Sequence, residues 1–97
     1  MLRITTEASP RGMKIKLEGR LVGPWVNEVD SVWTSLRAVE QRLSVDLCAV
    51  SAVDENGKEL LSRMHRNGTE LMADAPMTKY IVAEAVREAE SLREGRK

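Results

Sequence analysis

The sequence predicts one α/β domain with the element order β-β-α-β-α-β-α, a mixed four-stranded sheet with helices mainly on one face. Three observations carry this. The opening segment alternates apolar and polar side chains, the period of strands with one buried and one wet face. From Pro24 the apolar residues recur every three or four positions, the period of an amphipathic helix. A branched apolar run at residues 43–50 then separates two such helical stripes. That is the pattern of a βαβ unit, whose strands run parallel through a right-handed crossover.

Leu2 and Ile4 alternate with Arg3 and Thr5, and Met13, Ile15 and Leu17 with Lys14, Lys16 and Glu18. Between the two runs, Ser9-Pro10-Arg11-Gly12 fits a β-turn with proline at its second position, so the strands should form an antiparallel hairpin. Gly23-Pro24 opens the first helix, about residues 24–38, because proline's missing N–H has no partner at the first helical position anyway. Trp25, Val26, Val29, Val32, Trp33 and Leu36 form its stripe. Glu28 and Asp30 lie early and Arg37 and Arg42 late, the order that suits the helix dipole. Asp54 is a candidate N-cap for a second helix carrying Leu60, Leu61 and Met64, which Asn67-Gly68 should stop. Glu70-Leu71-Met72-Ala73 reads as the last strand. A final helix begins near residues 76–78 and carries Ile81, Val82, Ala85, Val86 and Ala89. Residues 1–87 thus make the domain, and residues 88–97 a charged tail expected to fray.

Composition narrows the function. The 97 residues carry 15 basic and 15 acidic side chains, a balance that excludes a strongly basic nucleic-acid binder. A chain of this length has enough surface to bury for one core and no more. No apolar run approaches the ~18–20 residues of a membrane span. The first residues, Met1-Leu2-Arg3-Ile4-Thr5-Thr6-Glu7, lack a signal-peptide pattern, and the single cysteine, Cys48, suits a reducing compartment. The expected location is the cytoplasm, without membrane insertion.

Catalytic chemistry is poorly supplied. His65 is the only histidine, which leaves both a zinc site and a Ser-His-Asp triad short of groups. It falls beside the buried stripe of its helix, a boundary position. Cys48 lies inside a strand read as buried, where cysteine acts as a small hydrophobe. Asp46, Asp54 and Glu55 are conceivable as a divalent-cation cluster at strand ends. Yet Asp46 stands eight residues before Asp54, and no second aspartate adjoins it. No enzyme activity, metal or cofactor is expected. Trp25 and Trp33 share nearly one helix face and read as core, Trp25 being the more exposed beside its glycine-proline loop.

The informative segment is Val50-Ser51-Ala52-Val53-Asp54-Glu55-Asn56-Gly57. It joins the carboxyl end of a parallel strand to a helix N-terminus, where open α/β sheets usually bind their ligands. Free N–H groups of the first helical turn point outward there, and Gly57 permits close approach of another backbone. The plainer alternative is a well-capped helix whose glycine serves packing alone.

The run from Leu43 through Asp46, Leu47, Val50, Val53 and Asp54 to Gly57, Leu60 and Leu61 resembles the STAS family, the anti-sigma-factor antagonist domains. Their signature is a strand of the form V-x-D-L-x-x-V-x-x-h-D, with h apolar, followed by S-S-G or T-G-G and a leucine-rich helix. Leu17-Glu18-Gly19-Arg20-Leu21 is similar to that family's second strand, L-x-G-x-L. The element order agrees from residue 2 to about residue 87. The resemblance implies a non-catalytic protein-interaction module that docks through the loop and helix after residue 53. In the family, phosphorylation of the second serine breaks the contact by adding about −1.5 to −2 charges. Here Asp54 and Gly57 match, but Glu55 and Asn56 replace the hydroxyl residues. Asn56 holds the phospho-site position and cannot accept phosphate.

The partner-binding surface implied is the loop Asp54, Glu55, Asn56 and Gly57 with the outer face of the helix. On that face Lys58, Glu59, Ser62, Arg63 and Arg66 are expected by exclusion from the apolar stripe, and Lys58, Ser62 and Arg63 join the loop as partner-binding residues. Two behaviours stay open. Either Asn56 imitates unmodified serine and the domain binds constitutively, or Glu55 imitates part of a phosphate's charge and blocks that partner. The partner implied is an anti-sigma factor of the kinase type. The short form also resembles the small STAS subunit that binds the ATPase of a lipid-transport ABC system. A homodimer through the exposed sheet edge or an apolar patch is a third possibility.

Overall fold

The computed structural model describes residues 1–10, 12–73 and 76–94. Strands β1 (Leu2–Ser9) and β2 (Gly12–Leu21) form the hairpin, followed by α1 (Pro24–Arg37), β3 (Leu43–Val53), α2 (Glu55–Arg66), β4 (Glu70–Met72) and α3 (Pro76–Glu94). The strands lie in sequence order, β1-β2-β3-β4. β1 is antiparallel to β2; the pairs β2/β3 and β3/β4 are parallel. The predicted α/β class, order and mixed sheet are therefore observed. Hairpin register brings Ser9 opposite Gly12, whose φ of +137° suits glycine. Arg11 of the expected turn lies outside the described residues, as do residues 95–97 of the expected tail.

Period-2 alternation sorts the sheet into two faces. Ile15, Leu17, Leu21, Val45, Leu47 and Val50 are buried under the helices, with Val29, Trp33, Leu60, Leu61 and Met64 packed on them. The opposite face carries Lys14, Lys16, Glu18, Ser44 and Asp46, all half-buried. Trp33 is 1% exposed, and its indole N–H donates to the Thr69 hydroxyl at 2.9 Å. Trp25 is half-buried, as its loop position predicted.

Three local expectations change. Cys48 is exposed, not buried. The register of β2 against β3 shifts between Lys16 and Glu18, where Lys16 faces Asp46 but Glu18 faces Ala49. The extra residue on β3 is a bulge that breaks strict alternation and turns Cys48 outward. The Asp46 carboxylate accepts the Cys48 N–H at 2.9 Å, replacing a ladder bond that the bulge removes. Second, β3 runs on to Val53, past the expected end at Val50, through another shift between Gly19 and Arg20. Ser51 stands at this shift and donates its hydroxyl to the Gly19 carbonyl at 3.2 Å. Third, α1 has no acid in its first turn: Glu28 and Asp30 lie beyond it, although Pro24 starts the helix and Arg37 closes it as expected.

Candidate functional site

Asp54 is the hinge-pin of the strand-to-helix junction. As N-cap of α2 its Oδ1 accepts the Gly57 N–H at 2.8 Å, one of the donors left unpaired by every helix start. Its Oδ2 accepts the Gly23 N–H at 2.9 Å. Gly23 is itself the N-cap of α1, and its φ of +59° belongs to the left-handed region that favours glycine. One carboxylate thus ties the starts of two helices together. These two N–H groups, Gly23 first and Gly57 second, hold the Asp54 carboxyl below its ordinary value despite some desolvation.

Gly57 departs from its expected role. It is buried, and a Cβ there would stand 2.7 Å from Val53 Cγ1 and 2.8 Å from the Leu21 carbonyl oxygen. The backbone that approaches closely is the chain's own β2, so glycine here seats α2 on the sheet. The plainer alternative for this residue is the observed one.

Glu55 and Asn56 are exposed on the first turn of α2, at the carboxyl end of β3. The Lys58 ammonium lies 3.3 Å from Glu55 Oε2 and 3.3 Å from Glu84 Oε1 on α3. Both carboxylates, Glu55 foremost, raise its pKa. Lys58 is therefore half-buried between α2 and α3. Arg63 is also engaged, reaching Asp30 Oδ2 of α1 at 2.9 Å. Glu59 and Arg66 are exposed, as expected of the outer face.

Ser62 is corrected outright. Expected on the outer face, it is 2% exposed, with no hydrogen-bond partner for its hydroxyl among the described residues. Excluding only Leu60, Leu61 and Met64 assumed a single buried stripe. α2 is sandwiched between its neighbours, so its buried arc widens to include Gly57 and Ser62. The residues missed in the sequence are the remote partners: Gly23 for Asp54, Glu84 for Lys58 and Asp30 for Arg63. Gly23-Pro24 was legible as a helix start, but nothing local coupled it to a residue 31 positions later.

The far end of the sheet holds a cleft of about 460 Å³, lined by Met13, Lys14, Arg42, Leu43, Glu70 and Met72. It lies at the amino ends of the parallel strands, opposite the start of α2. Asp46 belongs to the open sheet face, 4.0 Å from the Lys14 ammonium. Burial raises the Asp46 pKa, but the Cys48 N–H and the charges of Lys14 and Lys16 outweigh it and leave the carboxyl below its ordinary value. Among the described residues, no three acidic, histidine or cysteine side chains gather as a metal site.

No protein-family model matches the chain, and no curated protein does. Seven chains of solved structures match it. One, from a crystal structure of Mglu, superposes with a TM-score of 0.57 at 20% sequence identity. The match covers 74% of this chain and 19% of that one, so this domain corresponds to about a fifth of the other protein's length. Likeness at that identity is a likeness of fold.

Proposed function

We propose that the chain is a non-catalytic, STAS-like protein-interaction module whose contact surface is the exposed start of α2. The observation that carries this reading is the pairing of exposure with rigidity. Glu55 and Asn56 project from a turn whose backbone is pinned twice by Asp54 and seated on Leu21 through Gly57. A preorganised turn loses little entropy on docking. Asp54 and Gly57 then act as positioning residues, and Glu55, Asn56 and Glu59 as the contacts. Lys58 and Arg63 lock α2 against α3 and α1.

Lys58 also bears on the two behaviours left open by the sequence. Its ammonium lies 3.3 Å from both Glu55 and Glu84, so the three groups together keep one negative charge, less than the about −1.5 to −2 of a phosphate, and Asn56 itself is neutral. This favours constitutive binding to a kinase-type anti-sigma factor. The test is calorimetric titration of the chain against the anti-sigma-type kinase and the ABC ATPase encoded in the same genome. Asn56→Glu is expected to weaken the complex with the kinase about tenfold or more, a loss of ~1.4 kcal/mol. Glu55→Gln is expected to change it less than about twofold. Binding to the kinase that ignores Asn56→Glu removes the proposed surface. Binding to the ATPase alone removes the proposed partner class.

A further inference from the structure

The two edges of the sheet are unequal. β4 has three residues, short enough to offer little to another strand. β1 has eight, and its register against β2 runs without a shift from Leu2 to Ser9. It contains no proline and no bulge, and its helix-side residues, Leu2, Ile4, Thr6 and Ala8, include no charge. Proline, a bulge and inward-pointing charge, three of the devices that blunt an edge strand, are thus missing from its length; its charges, Arg3 and Glu7, lie on the open face.

Its hydrogen-bonding direction follows from one contact. The Arg20 N–H donates to the Met1 carbonyl at 3.3 Å, one step beyond the pair Leu2/Gly19 where the hairpin register begins. Antiparallel ladders alternate, so Arg3, Thr5, Glu7 and Ser9 also exchange their backbone bonds with β2. Leu2, Ile4, Thr6 and Ala8 therefore point their N–H and C=O groups away from the sheet.

We propose that β1 pairs antiparallel with β1 of a second copy of this chain, on a two-fold axis at Thr5. That register places Ile4 opposite the partner's Thr6 and Leu2 opposite the partner's Ala8, so every outward backbone group meets another. It also sets Arg3 opposite the partner's Glu7. Registers displaced by two residues either way keep the backbone bonds but separate these charges. Charge complementarity selects the one centred on Thr5. On the open face Glu7 lies 3.7 Å from Lys14, which lies 4.0 Å from Asp46, while Arg3 lies 3.8 Å from Glu18. Across the interface these join into one alternating row: Asp46, Lys14, Glu7, the partner's Arg3, the partner's Glu18. The contact lies on the sheet edge, so dimer formation and docking at α2 are separable.

The test is light scattering over a dilution series of the full chain, with two kinds of variant. The wild type is expected to approach twice the 10.9 kDa chain mass as concentration rises. Thr6→Pro deletes an outward N–H while sparing the bonds to β2; it should return the mass to one chain with an unchanged circular dichroism spectrum. In a Cys48→Ser background, Thr5→Cys faces itself across the axis at about 4.5 Å between Cα atoms, within disulfide reach. It should cross-link at least about tenfold faster than Ser9→Cys, whose two copies lie far apart in this register. A single-chain mass at the highest soluble concentration overturns the proposal. So does a Thr6→Pro variant that folds and still dimerises, or equal cross-linking at the two cysteine positions; should Thr6→Pro fail to fold, the cysteine pair decides.

Discussion

Asp54→Ala removes one side chain and two helix anchors. Loss of the N-cap bond to Gly57 costs about 1 kcal/mol. The bond to the Gly23 N–H, made to a carboxylate near the surface, adds about 1 kcal/mol. A combined loss of ~2 kcal/mol lowers the melting temperature of a domain this size by roughly 8–16 °C. Asp54→Asn keeps a single side-chain oxygen and should lose roughly half as much. The pH dependence sharpens the test. The folded carboxyl lies below the ordinary value of 3.8, so its stabilisation is fully present above that value and is lost as pH falls through the folded value. Thermal melts from about pH 7 to about pH 2 should show the gap between wild type and Asp54→Asn narrowing in the acid limb. A melting shift below about 3 °C for Asp54→Ala, or a gap that does not narrow in acid, refutes the double anchor.

Gly57→Ala should destabilise by about 1–3 kcal/mol in urea unfolding, since its Cβ would meet Val53 and the Leu21 carbonyl. Helix propensity alone predicts the opposite sign, a gain of about 1 kcal/mol, so the direction discriminates. Ser62→Ala removes a buried hydroxyl that has no partner among the described residues and should be neutral or stabilising by up to about 1 kcal/mol by the same assay. Trp33→Phe keeps most of the apolar volume but leaves the Thr69 hydroxyl without its indole donor; a loss of about 1–2 kcal/mol in thermal melts is expected.

Fold was legible because its signals are local and repeated. Leu2 to Leu17 announce their buried face by alternation, and Pro24 and Asp54 announce helix starts by chemistry. Asn67-Gly68 likewise ends α2: the Gly68 N–H bonds to the His65 carbonyl and the Thr69 N–H to the Met64 carbonyl, with Gly68 at φ +88°. The bulges in β3 left no such mark, since an inserted residue changes the phase of alternation without changing composition. Cys48 was misplaced for that reason. At the site, Asp54 was readable as a cap, but its second partner is tertiary. Likewise Ser62 is buried in a helix packed against α3, α1 and the sheet, neighbours that no helical wheel of α2 contains.

The central claim is that a protein partner meets this domain at the first turn of α2. Backbone amide NMR of the labelled chain, titrated with the anti-sigma-type kinase, tests it most directly. The account predicts that the amides of Glu55, Asn56 and Glu59 shift or broaden first, while Met13, Leu43 and Glu70 at the opposite end of the sheet stay in place. Perturbations that begin at Met13, Leu43 and Glu70 and leave Asn56 unmoved would contradict it.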